Sequence, residues 1–409
     1  MNRKWMFLFL MLTGLALTSG CWSKKELTDI AFVSALGIDK NEEGRYVGTI
    51  QLINPGNVAG GLQGGGGGGG QAPSITTYSS TGDNIVEMSR RASTKISRRL
   101  YYSHANLVVI NEELAKEEGI IKILDAFDRD PEFRTTATII IAHDTKAADI
   151  VNTLTGVDKI PANKVIKTLK FTEQRWGEHL EVSIQEGIKD LVSPGKEPVI
   201  TGFRMTGNAE QGKKLENIQQ SAVEENLQAE GLAVFKDGKM VDWLQGETAR
   251  GVTWILDKIK GTDININWEG EQEAIAYQVL RQKTKVSANM KNGQPKISIH
   301  VHAEGDIGEV MVPVDLTVPS VLLDIEKTLE KEIQKEINDA IQRAQKNQSD
   351  IFGFGEAVHR SDPKAWKKLK QDWNNVHFPQ LKADVTVEAF VRRTGLRNKP
   401  YFSNMESNQ

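Results

Sequence analysis

Thr135-Thr136-Ala137-Thr138-Ile139-Ile140-Ile141-Ala142 is an uncharged run rich in β-branched residues, and its reading decides the fold class. Such residues fit a pleated, half-buried surface, so the run predicts a strand. Immediately before it, Asp128 to Glu132 form a break that contains Pro131. Glu112 to Phe127 then read as a helix, preceded by Ala105–Ile110, ANLVVI, a buried strand candidate. Further upstream, Ala31–Ile38 and Arg45–Ile53 flank the turn cluster Asn41–Gly44 and predict a hairpin. Asn84–Ile96 is helical, with Ile85, Met88 and Ala92 on one face. Downstream, Lys146–Leu154 is helical again. Strands alternating with helices predict an α/β layer. Helices over Ala162–Phe171 and Leu180–Leu191 follow, and Pro194 and Pro198 close this unit near residue 197.

Two further units are predicted. Val199–Met205 reads as a strand, and Glu230–Leu244 as a hairpin about Lys236-Asp237-Gly238-Lys239, since Asp-Gly is a strong two-residue turn. A short helix over Gly251–Ile259 ends the middle unit. From about residue 270, Ile275–Met290 and Lys296–Glu304 are strands joined through Asn292-Gly293. Pro319–Lys346 is the longest helix. Ile325, Leu329, Ile333, Ile337 and Ile341 make a slowly winding stripe for packing on a sheet, and Glu330, Lys331, Glu332, Lys335 and Glu336 are assigned to the wet face. A helix over Pro363–Trp373 and a strand over Ala383–Val391 complete the chain. The expected architecture is α+β: three mixed units, each a β-sheet with packed helices, spanning 21–197, 198–269 and 270–397, with a loose tail over 398–409. The glycine-rich stretch 56–71, with Gly64–Gly70 unbroken, is read as a flexible surface loop, because ordering it costs backbone entropy and gains no side-chain burial.

Residues 1–20 belong to none of these units. Arg3 and Lys4 precede the apolar WMFLFLML of Trp5–Leu12, small residues follow, and Leu17-Thr18-Ser19-Gly20-Cys21 closes the run on the only cysteine. A positive start, a short apolar core and a small-residue cleavage site make a secretory signal peptide. The run is too short for a comfortable span, which needs about 20 apolar residues. Cys21 directly after the small residues resembles a bacterial lipobox, in which the cysteine becomes an S-diacylglycerol, N-acylated N-terminus; Thr18 stands where leucine is usual. Two acyl chains anchor stably where one is marginal. Trp22, Lys24 and Lys25 would suit a headgroup interface.

Composition narrows the remaining classes. Loss of Arg3 and Lys4 with the leader leaves 49 basic and 54 acidic residues, a net charge of −5, which gives no footprint for nucleic acid. With Cys21 acylated no thiol remains for a disulfide, a metal or nucleophilic catalysis. Arg90, Arg91, Lys95, Arg98 and Arg99 form a basic patch that reads as a solvated helix face or as a partner or headgroup surface. Gly207–Lys213, GNAEQGK, approaches a phosphate loop, but Lys214 stands where a hydroxyl must hold magnesium, so a turn is expected. His300 and His302 share a strand face without a third ligand at a recognisable spacing, and a polar solvent face accounts for them equally well. Trp366 and Trp373 share a helix face, where core packing is the default. There is no GxSxG, HExxH, EF-hand loop or CxxC, so the residues themselves leave an enzyme unsupported, and no cofactor or metal is expected.

Several stretches resemble one family. Cys21-Trp22-Ser23-Lys24-Lys25-Glu26-Leu27 with Ala35-Leu36-Gly37-Ile38-Asp39-Lys40 is similar to the opening of the Ger(x)C family, the C-subunit lipoproteins of spore-germinant receptors. Gly231-Leu232-Ala233-Val234-Phe235-Lys236 resembles the start of that family's C-terminal region. Gly353-Phe354-Gly355, Trp366, Trp373 and Arg392-Arg393-Thr394-Gly395 resemble its end. The resemblance implies a three-domain α+β build and a non-enzymatic subunit. It implies anchoring through Cys21 at the outer face of the spore inner membrane, with integral membrane A- and B-type subunits and a nutrient sensed by the complex. An alternative from the strand–helix order is a solute-binding lipoprotein that captures the nutrient itself; a cell-wall hydrolase is a distant third. Mass spectrometry of the native chain is expected to show a polypeptide beginning at an acylated Cys21; an intact Met1 with a free thiol would refute the leader reading.

Overall fold

A computed structural model describes residues 4–5, 29–59, 73–291 and 293–395. The rest of the leader, Cys21, Trp22, Lys24, Lys25, the run Gly64–Gly70 and the tail from 396 lie outside the described residues. Among the described residues no helix is long and apolar enough to cross a membrane.

The strand read from residues 135–142 is β6 (Thr138–Ala142), buried at every position. It sits inside a large mixed sheet with β1 (Ile30–Lys40), β2 (Tyr46–Ile53), β3 (Ile75–Gly82), β4 (Arg99–Tyr101), β5 (Leu107–Asn111), β7 (Val199–Met205), β8 (Leu227–Lys236) and β9 (Lys239–Leu244). The order is β3-β2-β1-β5-β6-β7-β8-β9, with β4 beside β1. β1, β5, β6 and β7 run parallel, and the hairpins at each end are antiparallel.

Helices cover both faces of this sheet, which is why its central strands are apolar throughout. One face carries α1 (Ile85–Ala92), α2 (Glu112–Glu117), α3 (Ile121–Arg129) and, later in the chain, the helix Ile184–Val192. The other carries α4 (Ala147–Asn152) and α5 (Pro161–Arg175). The expected helix Glu112–Phe127 is two helices, because Gly119 takes φ 85° and the Ile120 amide turns to the carbonyl of Gly238. The helix expected from Leu180 is α6 (Ile184–Val192); Ser183 and Glu186 close a reciprocal capping box at its start.

The second sheet is β10 (Thr262–Trp268), β11 (Glu271–Lys291), β12 (Gln294–Val310) and β13 (Lys382–Arg393), in that order. The β11–β12 hairpin is antiparallel and closes with Lys291 opposite Gln294. β13 pairs with β12 in parallel. Sequence reading missed β3, β4 and β10, and it placed the helix α7 (Gly246–Ile255) a turn late. The strands of residues 199–244 complete the first sheet, while α7 and β10 pack in the second core. A short middle stretch has no faces of its own to bury, so it completes its neighbours. The three expected sheets are therefore two among the described residues, and the division of the chain near 197 and 270 stays as a proposal.

α8 (Pro319–Lys346) lies on the second sheet, with Ile325, Leu329, Ile333, Ile337 and Ile341 all buried. Its outer carboxylates also bond to that sheet, where Glu326 and Glu330 accept the free amides of Val391 and Ala389 on the edge strand β13. The assignment of Glu336 to the wet face is corrected here, since Glu336 is fully buried. Each four-residue step carries the stripe about 40° round the helix, and by Glu336 the covering surface is α7. Arg250 donates to both Glu336 oxygens and the Trp254 indole N–H donates to Oε2 at 3.0 Å. α7 and α8 touch at Gly251, where an added Cβ would stand 2.2 Å from the Glu336 carbonyl oxygen. In an open helix Gly→Ala stabilises by about 1 kcal/mol. Gly251→Ala is expected to destabilise instead, by roughly 1–3 kcal/mol through overpacking, read as a lower denaturant midpoint at unchanged m-value.

Candidate functional site

The stretches that drew attention in the sequence converge where the two sheets meet. α9 (Phe354–Ser361) begins at Gly353, whose left-handed conformation (φ 76°, ψ 34°) favours glycine. No side chain at Gly353 can cap the helix. Asp350 does so from the preceding turn. Its Oδ1 accepts the amides of Gly353 and Phe354 at 2.9 and 3.1 Å, and its Oδ2 accepts Gly355 N–H at 2.7 Å and the Trp373 indole N–H at 2.8 Å. A carboxylate on a helix N-terminus meets unpaired donors and the positive end of the helix dipole. Gly355 is required for a second reason: its neighbours are the backbone of Gly195 and the rings of Trp366 and Trp373, all within 3 Å of where a Cβ would stand. Trp366 and Trp373 stack edge to face at 5.2 Å, after α10 (Pro363–Leu369) has turned the chain back. Core packing of this pair agrees with the sequence reading.

The first sheet reaches into the same place. Glu197 N–H donates to the Asp350 carbonyl at 2.8 Å. Its carboxylate accepts Asn374 Nδ2 at 2.7 Å and the Asp237 amide at 3.1 Å. Lys236, at the end of the family-like Gly231–Lys236, reaches Gln348 Oε1 at 2.9 Å and Asn375 Oδ1 at 2.7 Å, and the Ser349 hydroxyl donates to the Phe235 carbonyl. Asp242 on β9 accepts from Arg343 of α8 and from Asn347 just after it. The first sheet is thus joined to α8, to the turn that follows it and to Asn375 by polar bonds from both strands of the β8–β9 hairpin.

Two buried acids sit at this joint, and among the described residues neither carboxylate has a cation on it. Burial raises Glu197 to about 7, against the bonds from Asp237 and Asn374. Burial likewise raises Asp350 to about 6, against the bonds from Gly355, Trp373, Phe354 and Gly353. Sequence reading missed Asp350, Glu197 and Asn374. The available signal was an Asp three residues ahead of Gly353, a spacing that suits a helix start.

The family-like Ala35–Lys40 lies elsewhere. Asp39 accepts the Ala147 and Ala148 amides at 2.9 and 2.8 Å and so caps α4, while Gly37 passes within 3.0 Å, measured from a built Cβ, of the Ala147 carbonyl. Arg392 pairs with Glu304 at 2.6 Å. Gly207–Lys213 is a turn in which Asn208 caps a short helix and Lys213 pairs with Glu210 and Asp149. His302 contacts Glu304 at 3.0 Å and Phe390, while His300 is exposed beside it on the same strand face.

Among the described residues, potential metal-ligand atoms gather at Glu112, His143 and Asp144. They lie at the carboxyl ends of β5 and β6. There the His143 ring stacks on Trp243 at 4.0 Å, and its Nδ1 is buried without a hydrogen-bond partner. Both Glu112 oxygens are already engaged, by Lys116 and the Trp243 indole N–H on one and the Asp144 amide on the other. Burial pushes Glu112 up, but these bonds outweigh it and hold the group below the usual range.

The joint generates a pH prediction. Glu197 has a folded pKa above its unfolded value, so the native state holds its proton longer. Its contribution is greatest below about pH 4.5 and is lost as pH rises toward 7. Glu197→Gln, with Asn374 turning its amide oxygen toward the new NH2, is expected to flatten that fall. At pH 8 it gains up to about 3 kcal/mol relative to wild type, compared with pH 4, in urea melts across the range.

Two family models match the chain: the spore germination protein N-terminal domain over residues 23–205 and the spore germination B3/GerAC-like C-terminal region over 230–395. Spore germination protein KC of Bacillus subtilis (strain 168) is 48% identical over 401 residues, 98% of this chain and 98% of that protein. Spore germination protein B3 of the same organism is 22% identical, covering 91% and 93% of the two chains. A crystal structure of the GerBC protein superposes with a TM-score of 0.55 at 19% identity, covering 87% of this chain and 96% of that one. The joint motifs Gly231–Lys236, Gly353–Gly355, Trp366 and Trp373 all fall within the C-terminal match. With these matches end to end, the chain belongs to the Ger(x)C family of spore-germinant-receptor C subunits.

Proposed function

We propose that the chain is a non-enzymatic, lipid-anchored subunit of a nutrient germinant receptor with a role in spore germination. Cys21 is acylated. The body stands at the outer face of the spore inner membrane and assembles there with integral membrane A- and B-type subunits. The observation that carries this reading is the lipobox-like Leu17–Cys21 directly ahead of a body that resembles spore germination protein KC along nearly its whole length. The body supplies folded surface and a stiff joint, where the Ser349 hydroxyl donates to the Phe235 carbonyl. Two acyl chains supply the stable membrane attachment that such an assembly needs.

A second reading, capture of the nutrient by this subunit itself, draws on one observation. Glu112, His143, Asp144 and Trp243 meet outside the carboxyl ends of β5 and β6, the place where open α/β sheets bind ligands. Calorimetry with amino acids and sugars separates the two, since no heat from any of them removes direct capture.

Spores carrying Cys21→Ala are expected to lose membrane retention of the chain and most of the nutrient-triggered response. A full response from a soluble variant would show that anchoring has no part in the function.

A further inference from the structure

A groove of about 600 Å³ opens between α1, β4 and the loop after α3. Val86, Leu100 and Phe133 give it an apolar floor, and Arg90, Arg99 and Arg129 stand on its walls beside Asp130 and Glu132. From Met88 to Asn111 the chain carries Arg90, Arg91, Lys95, Arg98 and Arg99 and no acid. Arg91 and Arg99 are paired with Glu87 and Glu132. Lys95 donates to the Ser79 carbonyl. Arg90 and Arg98 are exposed and make no ion pair among the described residues. Val86, which lines the groove with Arg90, is 53% exposed. An apolar strip edged by arginines matches a surface of anionic phosphates over acyl chains, since the guanidinium binds phosphate in bidentate fashion.

The position of this surface on the chain selects the occupant. β4 runs beside the start of β1, with Arg99 opposite Ile30. Ile30 is nine residues after Cys21, and nine extended residues reach at most about 32 Å. A folded chain of this length is roughly 55 Å across. An anchor at Cys21 therefore keeps the bilayer near the side of the body that holds Arg99 and away from the opposite side.

We propose that the α1–β4 face rests on anionic phospholipid headgroups of the bilayer that holds the Cys21 anchor, with Arg90 and Arg98 as the free phosphate-binding cations. This rests on the reading of Cys21 as acylated. The docked face fixes which way the joint and the second sheet point from the membrane, an orientation that a nine-residue tether alone leaves open.

The test uses the mature acylated chain on vesicles of phosphatidylglycerol or phosphatidylcholine. With Cys21 acylated, Ser97→Cys supplies a single free thiol for a fluorophore beside Arg98, and Ser361→Cys places one at the end of α9, beside the second sheet. Headgroup-attached nitroxide lipid is expected to quench the label at 97 strongly on phosphatidylglycerol, weakly on phosphatidylcholine, and the label at 361 on neither. Adding R90E and R98E should shift the docked-to-undocked ratio down at least about 25-fold, about fivefold for each lost cation alone, while the protein still floats with the vesicles. Equal quenching at 97 and 361, or quenching at 97 that survives the charge reversal, overturns the docking face. Failure of the wild-type chain to float removes the anchor instead, and the docking face with it.

Discussion

The Asp350 carboxylate, fully buried and facing four N–H donors, is the constraint on which the rest of the structure depends. A buried charge without a cation is tolerated only where hydrogen bonds replace its water. Here those bonds start α9, fix the Trp373 indole, and set the turn whose carbonyl takes the Glu197 amide of the first sheet. Replacing any one partner leaves a buried acceptor short of a bond, so the turn, α9 and the β7 approach form a coupled set. The close backbone contact at Gly195 and Gly355 follows from the same arrangement, because no side chain fits between them.

The surfaces the body presents, and the stiffness with which it presents them, follow from how its two sheets are covered and joined. The first sheet is covered by helices on both faces, and the second is covered by α8 with its edge amides taken by Glu326 and Glu330. Glu197 with Asn374 and Asp242 with Arg343 join the two, and Glu336 with Arg250 ties α8 to α7. These charged or polar bonds are directional, and they fix one geometry where an apolar contact alone would tolerate sliding. Glu197 and Asp350 also make the joint responsive to proton activity, since burial raises both acids toward neutrality.

Much of the fold was legible in the sequence. The β-branched run at 138–142, the Asp237-Gly238 turn and the isoleucine stripe of α8 each carry a local signal strong enough to survive in the folded chain. What was not legible depended on partners far away along the chain. Glu336 reads as a solvated glutamate until Arg250 and Trp254 arrive from α7. Gly119 reads as a helix residue until Gly238 supplies the carbonyl that takes over the Ile120 amide. The strands at 199–244 read as a unit of their own until β7 pairs with β6. β13 pairs in parallel with β12 across an intervening helix, and no local pattern announces that partner. Of the site, the Gly353–Gly355 and Trp366/Trp373 motifs were visible, whereas Asp350 and Glu197, which give those motifs their purpose, were not. Cys21 remains a reading of sequence alone.

Hydrogen–deuterium exchange of wild type and Asp350→Asn, followed peptide by peptide at one pH, tests most directly whether the joint makes the two sheets one cooperative body. The account predicts that loss of protection at Gly353–Gly355 spreads to β8 and β7 of the first sheet as well as to α8. Loss confined to α9 and the second sheet, with β7 and β8 exchanging as in wild type, would contradict it.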